Sequence, residues 1–172
     1  MFHNILVCVD GSIHADRALD EAIDLATAGN ARLTLLTSIP RPPSWACTPA
    51  TAPAVQPLAV ELRDEAKATL RAAVDRVPQT ISVTTILSEK PIREALMEQL
   101  RAGTHDLLVM GSRGRRAFSA SVLGSVSHYA LNHAGVPVLI IHAADAKLNE
   151  KPAAGTAGHE VKAPAQAATS IA

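Results

Sequence analysis

Three glycines and three arginines lie close together in one segment, Gly111–Ser125, which reads GSRGRRAFSASVLGS. Glycine has no Cβ, so its backbone can approach a phosphate closely, and with positive φ successive N–H groups can point at one anion. Arginine side chains supply matching positive charge for phosphate oxygens. The segment follows directly on an apolar run that ends at Met110. The pattern predicts a site for a small polyanionic ligand, such as a triphosphate.

The last two residues of this segment, Gly124 and Ser125, begin a stretch of helical period. Free N–H groups and the positive end of the dipole at a helix N-terminus favour phosphate, and the Ser125 hydroxyl adds a donor. A Gly-x-x-Gly pair alone is weak evidence, because Gly155 and Gly158 repeat it with nothing around them to bind a ligand. The sequence has neither a Walker A motif nor Gly-x-Gly-x-x-Gly, so P-loop hydrolysis and dinucleotide redox chemistry lose support.

Other side chains give little support for catalysis. Asp10 follows the first apolar run, where open α/β sheets place ligands, but it could instead cap the next helix, as Ser12 could. The seven histidines show no metal spacing, and His128 and His133, five apart, fall on different helix faces. We find no nucleophile with a paired base and no acid pair, so we expect no enzyme, or at most a weak ATPase. Any Mg²⁺ is expected to be held mainly by ligand phosphates.

The sequence alternates regularly between apolar strand-like runs and helical stretches. This pattern is typical of βαβ units with a parallel sheet, which would position the residues described above. Strands are predicted at Ile5–Val9, Leu33–Ser38, Ile81–Leu87, Asp106–Met110 and Val136–Ile141, with helices after Ser12 as far as Gly29, at Leu58–Val77, from Ile92 to Gly103 and around Ser125–His133. We therefore predict an α/β domain, a doubly wound five-stranded parallel sheet with helices on both faces.

Two segments fall outside this alternation. The six prolines from Pro40 to Pro57 predict a long loop, since such a stretch suits neither a helix nor a ladder. The segment Ala143–Ala172 has few large apolar residues and no aromatic ones, so we predict a disordered tail after a domain at 1–142.

Composition limits the possible partners. The chain has 172 residues, 48% of them hydrophobic and 2% aromatic, and its formal net charge is zero. One domain with an aliphatic core is expected, without general attraction to nucleic acid or anionic membranes. The apolar runs are far shorter than the roughly 20 residues of a spanning helix. Cys8 and Cys47 do not form a disulfide scaffold, and Met1–Asp10 lacks a signal-peptide pattern, so we expect a cytoplasmic protein.

The glycine segment resembles that of the universal stress protein family, whose nucleotide-binding members carry Gly, two residues, Gly, nine residues, then Gly-Ser or Gly-Thr. Gly111, Gly114 and Gly124-Ser125 match this spacing in full. The resemblance continues through Ile5–Ser12 and Val136–Ile140 and covers about Met1 to His142. It implies a Rossmann-like, adenine nucleotide alpha hydrolase-like fold, ATP bound across the ends of the first, second and fourth strands, and a homodimer joined through the Val136–Ile141 strands.

Position by position, the resemblance also implies a set of ATP-binding residues. Asp10 would face the adenosine end with Cys8 nearby, and Met110 would border the base or ribose. Ser38 departs from the apolar residue common at its position, which leaves its backbone to contact adenine. Gly111–Gly114 would border the phosphates and ribose, and Gly124, Ser125 and Val126 would hold the phosphates. The implied set is Cys8, Asp10, Ser38, Met110, Gly111, Ser112, Arg113, Gly114, Arg115, Gly124, Ser125 and Val126.

Three functions remain open at this point. The first is an ATP-binding regulatory module of the stress response, with slow or no hydrolysis and an unknown protein partner. The second is a nucleotide hydrolase or phosphotransferase using the same site, and the third is a dimeric scaffold that does not need nucleotide. Val136–Ile141 could also be the last buried strand of a monomer, although an exposed apolar edge favours pairing.

Overall fold

The computed structural model of the chain describes residues 1–41, 52–115 and 123–143. Strands and helices alternate throughout, as the sequence predicts. In chain order the elements are β1 Asn4–Cys8, α1 Ile13–Gly29, β2 Arg32–Ser38, α2 Ala52–Arg76, β3 Val83–Ser88, α3 Ile92–Arg101, β4 Leu107–Gly111, α4 Ser125–His133 and β5 Val138–Ile141.

The five strands form one parallel sheet in the order β3-β2-β1-β4-β5. β1 lies at its centre, with Cys8 in register with Leu36 of β2 on one side and Met110 of β4 on the other. The chain therefore winds outward in one direction from β1 to β3, and in the other from β4 to β5. Ligands of such sheets bind at the carboxyl ends of the strands where the winding reverses, which here is between β1 and β4.

Helices cover both faces of the sheet, and the core on each face is aliphatic. Residues of α1 and α2, such as Leu19 and Leu70, pack with Val7 and Val109 on one face. On the other face, α3 and α4 pack against the alternate strand residues, including Leu6. β4 is buried along its whole length, as its continuous apolar run predicts. Among the described residues, the ten largest fully buried side chains are all Leu, Ile or Val, which confirms the prediction of an aliphatic core.

The prediction of a loop as far as Pro57 is wrong for residues 52–57, because α2 begins at Ala52 and contains Pro57. A proline in the first turn of a helix costs little, because the first four amides of any helix lack intrahelical partners. Pro57 is the sixth residue of α2, so it removes only the hydrogen bond that its amide would have donated to the carbonyl of residue 53. Nineteen helical residues follow it, which is enough to keep the helix intact. Residues 42–51 and the predicted tail from 144 lie outside the described part of the chain.

Both outer strands are shorter or shifted relative to their predicted limits. β3 forms one edge of the sheet and spans Val83–Ser88, whereas the sequence predicts Ile81–Leu87. β5 forms the opposite edge and starts at Val138, because Pro137 contributes only its carbonyl, which accepts from the amide of Leu108 at 3.0 Å. None of the helices within the described ranges is long and apolar enough to cross a membrane.

His105, two residues before β4, is expected to make the fold sensitive to acid. The residue is 9% exposed, and its Nδ1 has no hydrogen-bond partner among the described residues. Burial lowers the pKa of His105, with the nearby Asp106 carboxylate acting in the opposite direction. The unfolded chain therefore takes up a proton that the folded chain resists, and the free energy of unfolding should decrease as pH falls through about 6.5.

Replacing His105 with methionine should reduce this pH dependence, because methionine does not titrate and leaves no buried nitrogen without a partner. Urea unfolding at a series of pH values from 7.5 to 5.5 measures the slope. His128→Gln, at an exposed position of α4, is the matched control and should retain the wild-type slope. An unchanged slope in the His105 variant would contradict the assignment.

Candidate functional site

Apart from Ser38, which ends β2, the predicted site residues lie around the carboxyl ends of β1 and β4, where the turn before α1 and the glycine segment face each other. Asp10 joins the two loops. Its Oδ1 accepts from the amide of Ser12 at 3.0 Å, and its Oδ2 accepts from the amide of Arg115 at 3.2 Å. Ser12 provides the helix cap, since its Oγ accepts from the amide of Ala15 at 3.2 Å. Asp10 therefore fixes the position of the glycine segment, and Ser12 takes the capping role that the sequence left open between them.

Gly111 is required for packing within the protein. A Cβ added to it would lie 2.7 Å from the backbone carbon of His14 and 2.8 Å from the amide nitrogen of Ala15. The first turn of α1 thus lies directly against the end of β4, with no room for a side chain between them. The expectation that the missing Cβ of Gly111 leaves space for a phosphate is therefore wrong, because the backbone of α1 fills that space.

The other two glycines of the motif are also in close contact with protein atoms. A Cβ at Gly114 would lie 2.6 Å from Asp10 Oδ2, and one at Gly124 would lie 3.1 Å from the carbonyl oxygen of Ser112. Neither these residues nor Gly111 has positive φ, contrary to the expectation from the sequence; the described glycines with positive φ are at 11, 103 and 135. The motif glycines are needed because the loops approach one another too closely for a side chain. Their backbone angles are ones that any residue can adopt.

The N-terminus of α4 lies against the glycine segment, since a Cβ on Gly124 would be 3.3 Å from Arg113 Cα. Gly124 is its N-cap residue, with extended backbone angles, and in this part of the described chain no side chain caps the helix. The Gly124 amide itself donates to the Ser112 carbonyl at 2.8 Å. Because the first amides of a helix lack intrahelical partners, an uncapped N-terminus is suited to binding an anion.

Ser127, in the first turn of α4, holds this helix against the end of β4. It is 2% exposed, and its Oγ donates to the carbonyl of Gly111 at 2.9 Å and lies 3.3 Å from that of Ser112. In the sequence, Ser127 is one of several serines in and just after the glycine segment. The sequence gives no indication of its role, because its hydrogen-bond partners are backbone carbonyls at the end of β4.

A second arrangement absent from the sequence analysis joins three elements behind the glycine segment. Ser112 Oγ lies 2.9 Å from His142 Nδ1, the His142 ring stacks on His14 with centroids 5.0 Å apart, and the amide of Ala143 donates to His14 Nδ1 at 2.9 Å. The sequence showed no nucleophile with a paired base, whereas the structure places a serine beside a histidine. Ser112 is only 6% exposed, so this pair secures the end of the sheet and offers no accessible hydroxyl.

Residues implied for the adenosine end lie on two neighbouring strands. Cys8 and Met110 are in register, and they belong with Val126 of α4 to the apolar cluster on one face of the sheet. Burial, together with the nearby Asp10 carboxylate, raises the pKa of Cys8 to about 12, so its thiol stays protonated and is a poor nucleophile. Ser38 ends β2, and its hydroxyl donates to the carbonyl of Lys90 at 2.6 Å. That side chain is therefore directed to the loop after β3.

The arginines of the segment differ in their surroundings. The Arg113 carbonyl is 3.3 Å from Ser12 Oγ, and the Arg115 guanidinium forms an ion pair with Glu65 of α2. Arg116 lies outside the described residues. Within the described ranges, no three His, Cys, Asp or Glu side chains group closely enough to hold a metal ion.

The family model named Universal stress protein family matches residues 1–142. The chain belongs to the universal stress protein family. A curated relative from Thermus aquaticus, named "Universal stress protein in QAH/OAS sulfhydrylase 3'region", is 33% identical over 144 residues, which cover 82% of this chain and 99% of the relative. A Mycolicibacterium smegmatis universal stress protein is 27% identical over 146 residues, and the chain spans only 49% of its length.

Solved structures of universal stress proteins share the fold. The UspA protein from Lactobacillus plantarum has a TM-score of 0.66 at 25% identity, covering 81% of this chain and 97% of its own. A universal stress protein solved in complex with cAMP has a TM-score of 0.58 at 27% identity, covering 83% and 99% of the two chains. These similarities agree with the family and the five-stranded fold that the sequence predicts.

Proposed function

We propose that this universal stress protein binds an adenine nucleotide, with ATP as its main ligand, at the carboxyl ends of β1, β2 and β4. The observation that carries the proposal is the N-terminus of α4, which no described side chain caps, beside the glycine segment at the end of the sheet where the winding reverses. The related universal stress protein with bound cAMP gives independent support for an adenine nucleotide.

In this proposal, phosphates bind at Gly124, Ser125 and Val126, where amides of the first turn of α4 can donate to them. The backbone from Gly111 through Ser112 and Arg113 to Gly114, together with Arg115, borders the phosphates and ribose. Asp10, Cys8 and Met110 lie toward the adenosine end, and the Ser38 backbone contacts the base, since its hydroxyl is already bonded to Lys90. Any Mg²⁺ is coordinated mainly by the phosphates.

The role we propose is regulatory: bound nucleotide orders the glycine segment and alters a surface that a protein partner recognises. We propose that hydrolysis is slow or absent; the protonated Cys8 thiol and the buried Ser112 hydroxyl are both unsuited to covalent attack on a phosphate. We further propose a cytoplasmic homodimer joined through Val136–Ile141, since the β5 residues Val138–Ile141 are only partly buried at the edge of the sheet.

Nucleotide analysis of the ligand released by heat from freshly purified protein tests the proposal. We expect an adenine nucleotide, and we expect protein stripped of ligand to bind ATP in a calorimetric titration. Finding neither a co-purifying nor a titratable adenine nucleotide would overturn the proposal. Turnover measured with Mg²⁺ should stay close to a buffer control, and rapid phosphate release would instead favour a hydrolase.

A further inference from the structure

We infer that Glu65 of α2 competes with ligand phosphates for Arg115, so that this glutamate sets how strongly the site responds to phosphate. The inference rests on the proposed function and adds to it a residue outside the glycine motif. Glu65 lies 50 residues from Arg115 in the sequence, and neither motif nor spacing connects the two. Their contact arises from the position of α2 beside the sheet.

The position of Arg115 is fixed at its backbone and its side chain by two different carboxylates. Its amide donates to Asp10 Oδ2 at 3.2 Å, which places the residue at the edge of the candidate phosphate site. Its guanidinium then reaches the carboxylate of Glu65. The positive charge of Arg115, which the sequence suggests for phosphate binding, is therefore already paired within the protein.

α2 is held in place by Leu70 and Ala73, which are buried in the core against the sheet. Arg76 near its end also forms ion pairs with Asp16 and Asp20 of α1, at 3.1 Å for the first. One turn after Glu65, the methyl group of Thr69 lies 3.5 Å from the position of a Cβ built on Gly11, in the turn before α1. The helix thus passes directly beside the loop that carries Asp10, so Glu65 belongs to the wall of the same site.

The strength of this ion pair suits it to being displaced. The Arg115 and Glu65 side chains are 34% and 51% exposed, and pairs this exposed change an equilibrium constant by a factor of about one to five. Arginine binds phosphate through two parallel charge-assisted hydrogen bonds, which are stronger. A ligand phosphate can therefore replace Glu65, but its affinity is reduced by the cost of breaking the pair.

Titrations of wild type and Glu65→Gln with ATP, tripolyphosphate and adenosine test the inference. Removing the glutamate charge should tighten ATP and tripolyphosphate binding by about two- to fivefold, and it should leave adenosine unchanged because adenosine has no phosphate. Glu61→Gln, one turn earlier on α2, removes the same charge without touching the pair and should bind all three as wild type does. Equal affinities in wild type and Glu65→Gln would overturn the inference, as would an equal gain for adenosine.

A double-mutant cycle shows whether the effect passes through Arg115. Arg115→Gln should weaken ATP binding, and adding Glu65→Gln to it should then change nothing, since the competitor has lost its target. A full gain from Glu65→Gln in the Arg115→Gln background would refute the mechanism. Failure of the proposed function is recognised separately, because wild type would then bind neither ATP nor tripolyphosphate in the first titration, and both proposals would fall together.

Discussion

Gly111→Ala is expected to lower the free energy of unfolding by about 2–3 kcal/mol, the cost of forcing extra volume into a close-packed interior. The added methyl carbon would lie 2.7 Å from the His14 backbone, and backbone atoms cannot rotate aside as a side chain can. Relief requires α1 to move away from the end of β4. Chemical denaturation measures the effect as a lower midpoint with an unchanged slope.

Gly114→Ala provides the control, because it adds the same methyl group within the same motif. There the nearest atom is Asp10 Oδ2, at 2.6 Å, which lies at the end of a side chain that can turn away. We expect the free energy of unfolding to fall by less than about 1 kcal/mol. The hydrogen bond that the Arg115 amide donates to Asp10 should be lost. Equal destabilisation by the two substitutions would contradict the packing role assigned to Gly111.

Gly124→Asp is expected to reduce ATP affinity at least about tenfold more than Gly124→Asn does. Both side chains cap a helix well and both crowd the Ser112 carbonyl to the same extent, since a Cβ there lies 3.1 Å from that oxygen. Only the aspartate places a negative charge at the helix N-terminus, where it competes with the phosphates and repels them. Isothermal titration of the two variants with ATP measures the difference.

Adenosine is the control ligand for this pair of variants, and it should bind both with the same affinity. Thermal unfolding should show Gly124→Asp at least as stable as Gly124→Asn, because a carboxylate also interacts favourably with the helix dipole. Similar ATP affinities for the two variants would show that the phosphates do not bind at the α4 N-terminus. The proposed function would then lose its main support.

The order and type of the elements could be predicted because each leaves a local signal in the sequence. β4 is a continuous apolar run, and α1 begins at a capping serine and ends at Gly29 followed by Asn30, whose left-handed backbone closes the helix. The start of α2 could not be predicted. Prolines argue against a helix in general, but their cost falls sharply in the first turns, and local composition does not show where the helix starts.

Predicting the site required more than local signals. Spacing located the glycine segment, and the position after the first strand indicated Asp10; the structure brings the two together. What the glycines contact could not be deduced, because Gly111 meets a helix about 100 residues earlier in the chain. The same holds for the pairing of Arg115 with Glu65 and for the stacking of His14 on His142. Each of these depends on which elements become neighbours after folding.

The central position of β1 has a consequence for synthesis of the protein on the ribosome. β1 is made first, and β2 can cover one of its sides early, but its other neighbour, β4, begins only at Leu107. At about 5–20 residues per second, the second side of β1 waits on the order of 5–20 s for its partner. During that time the nascent chain presents the open edge of an apolar strand, in which Ile5, Leu6 and Val7 are completely buried once folding is finished. Protection of the growing chain therefore matters most before β4 emerges.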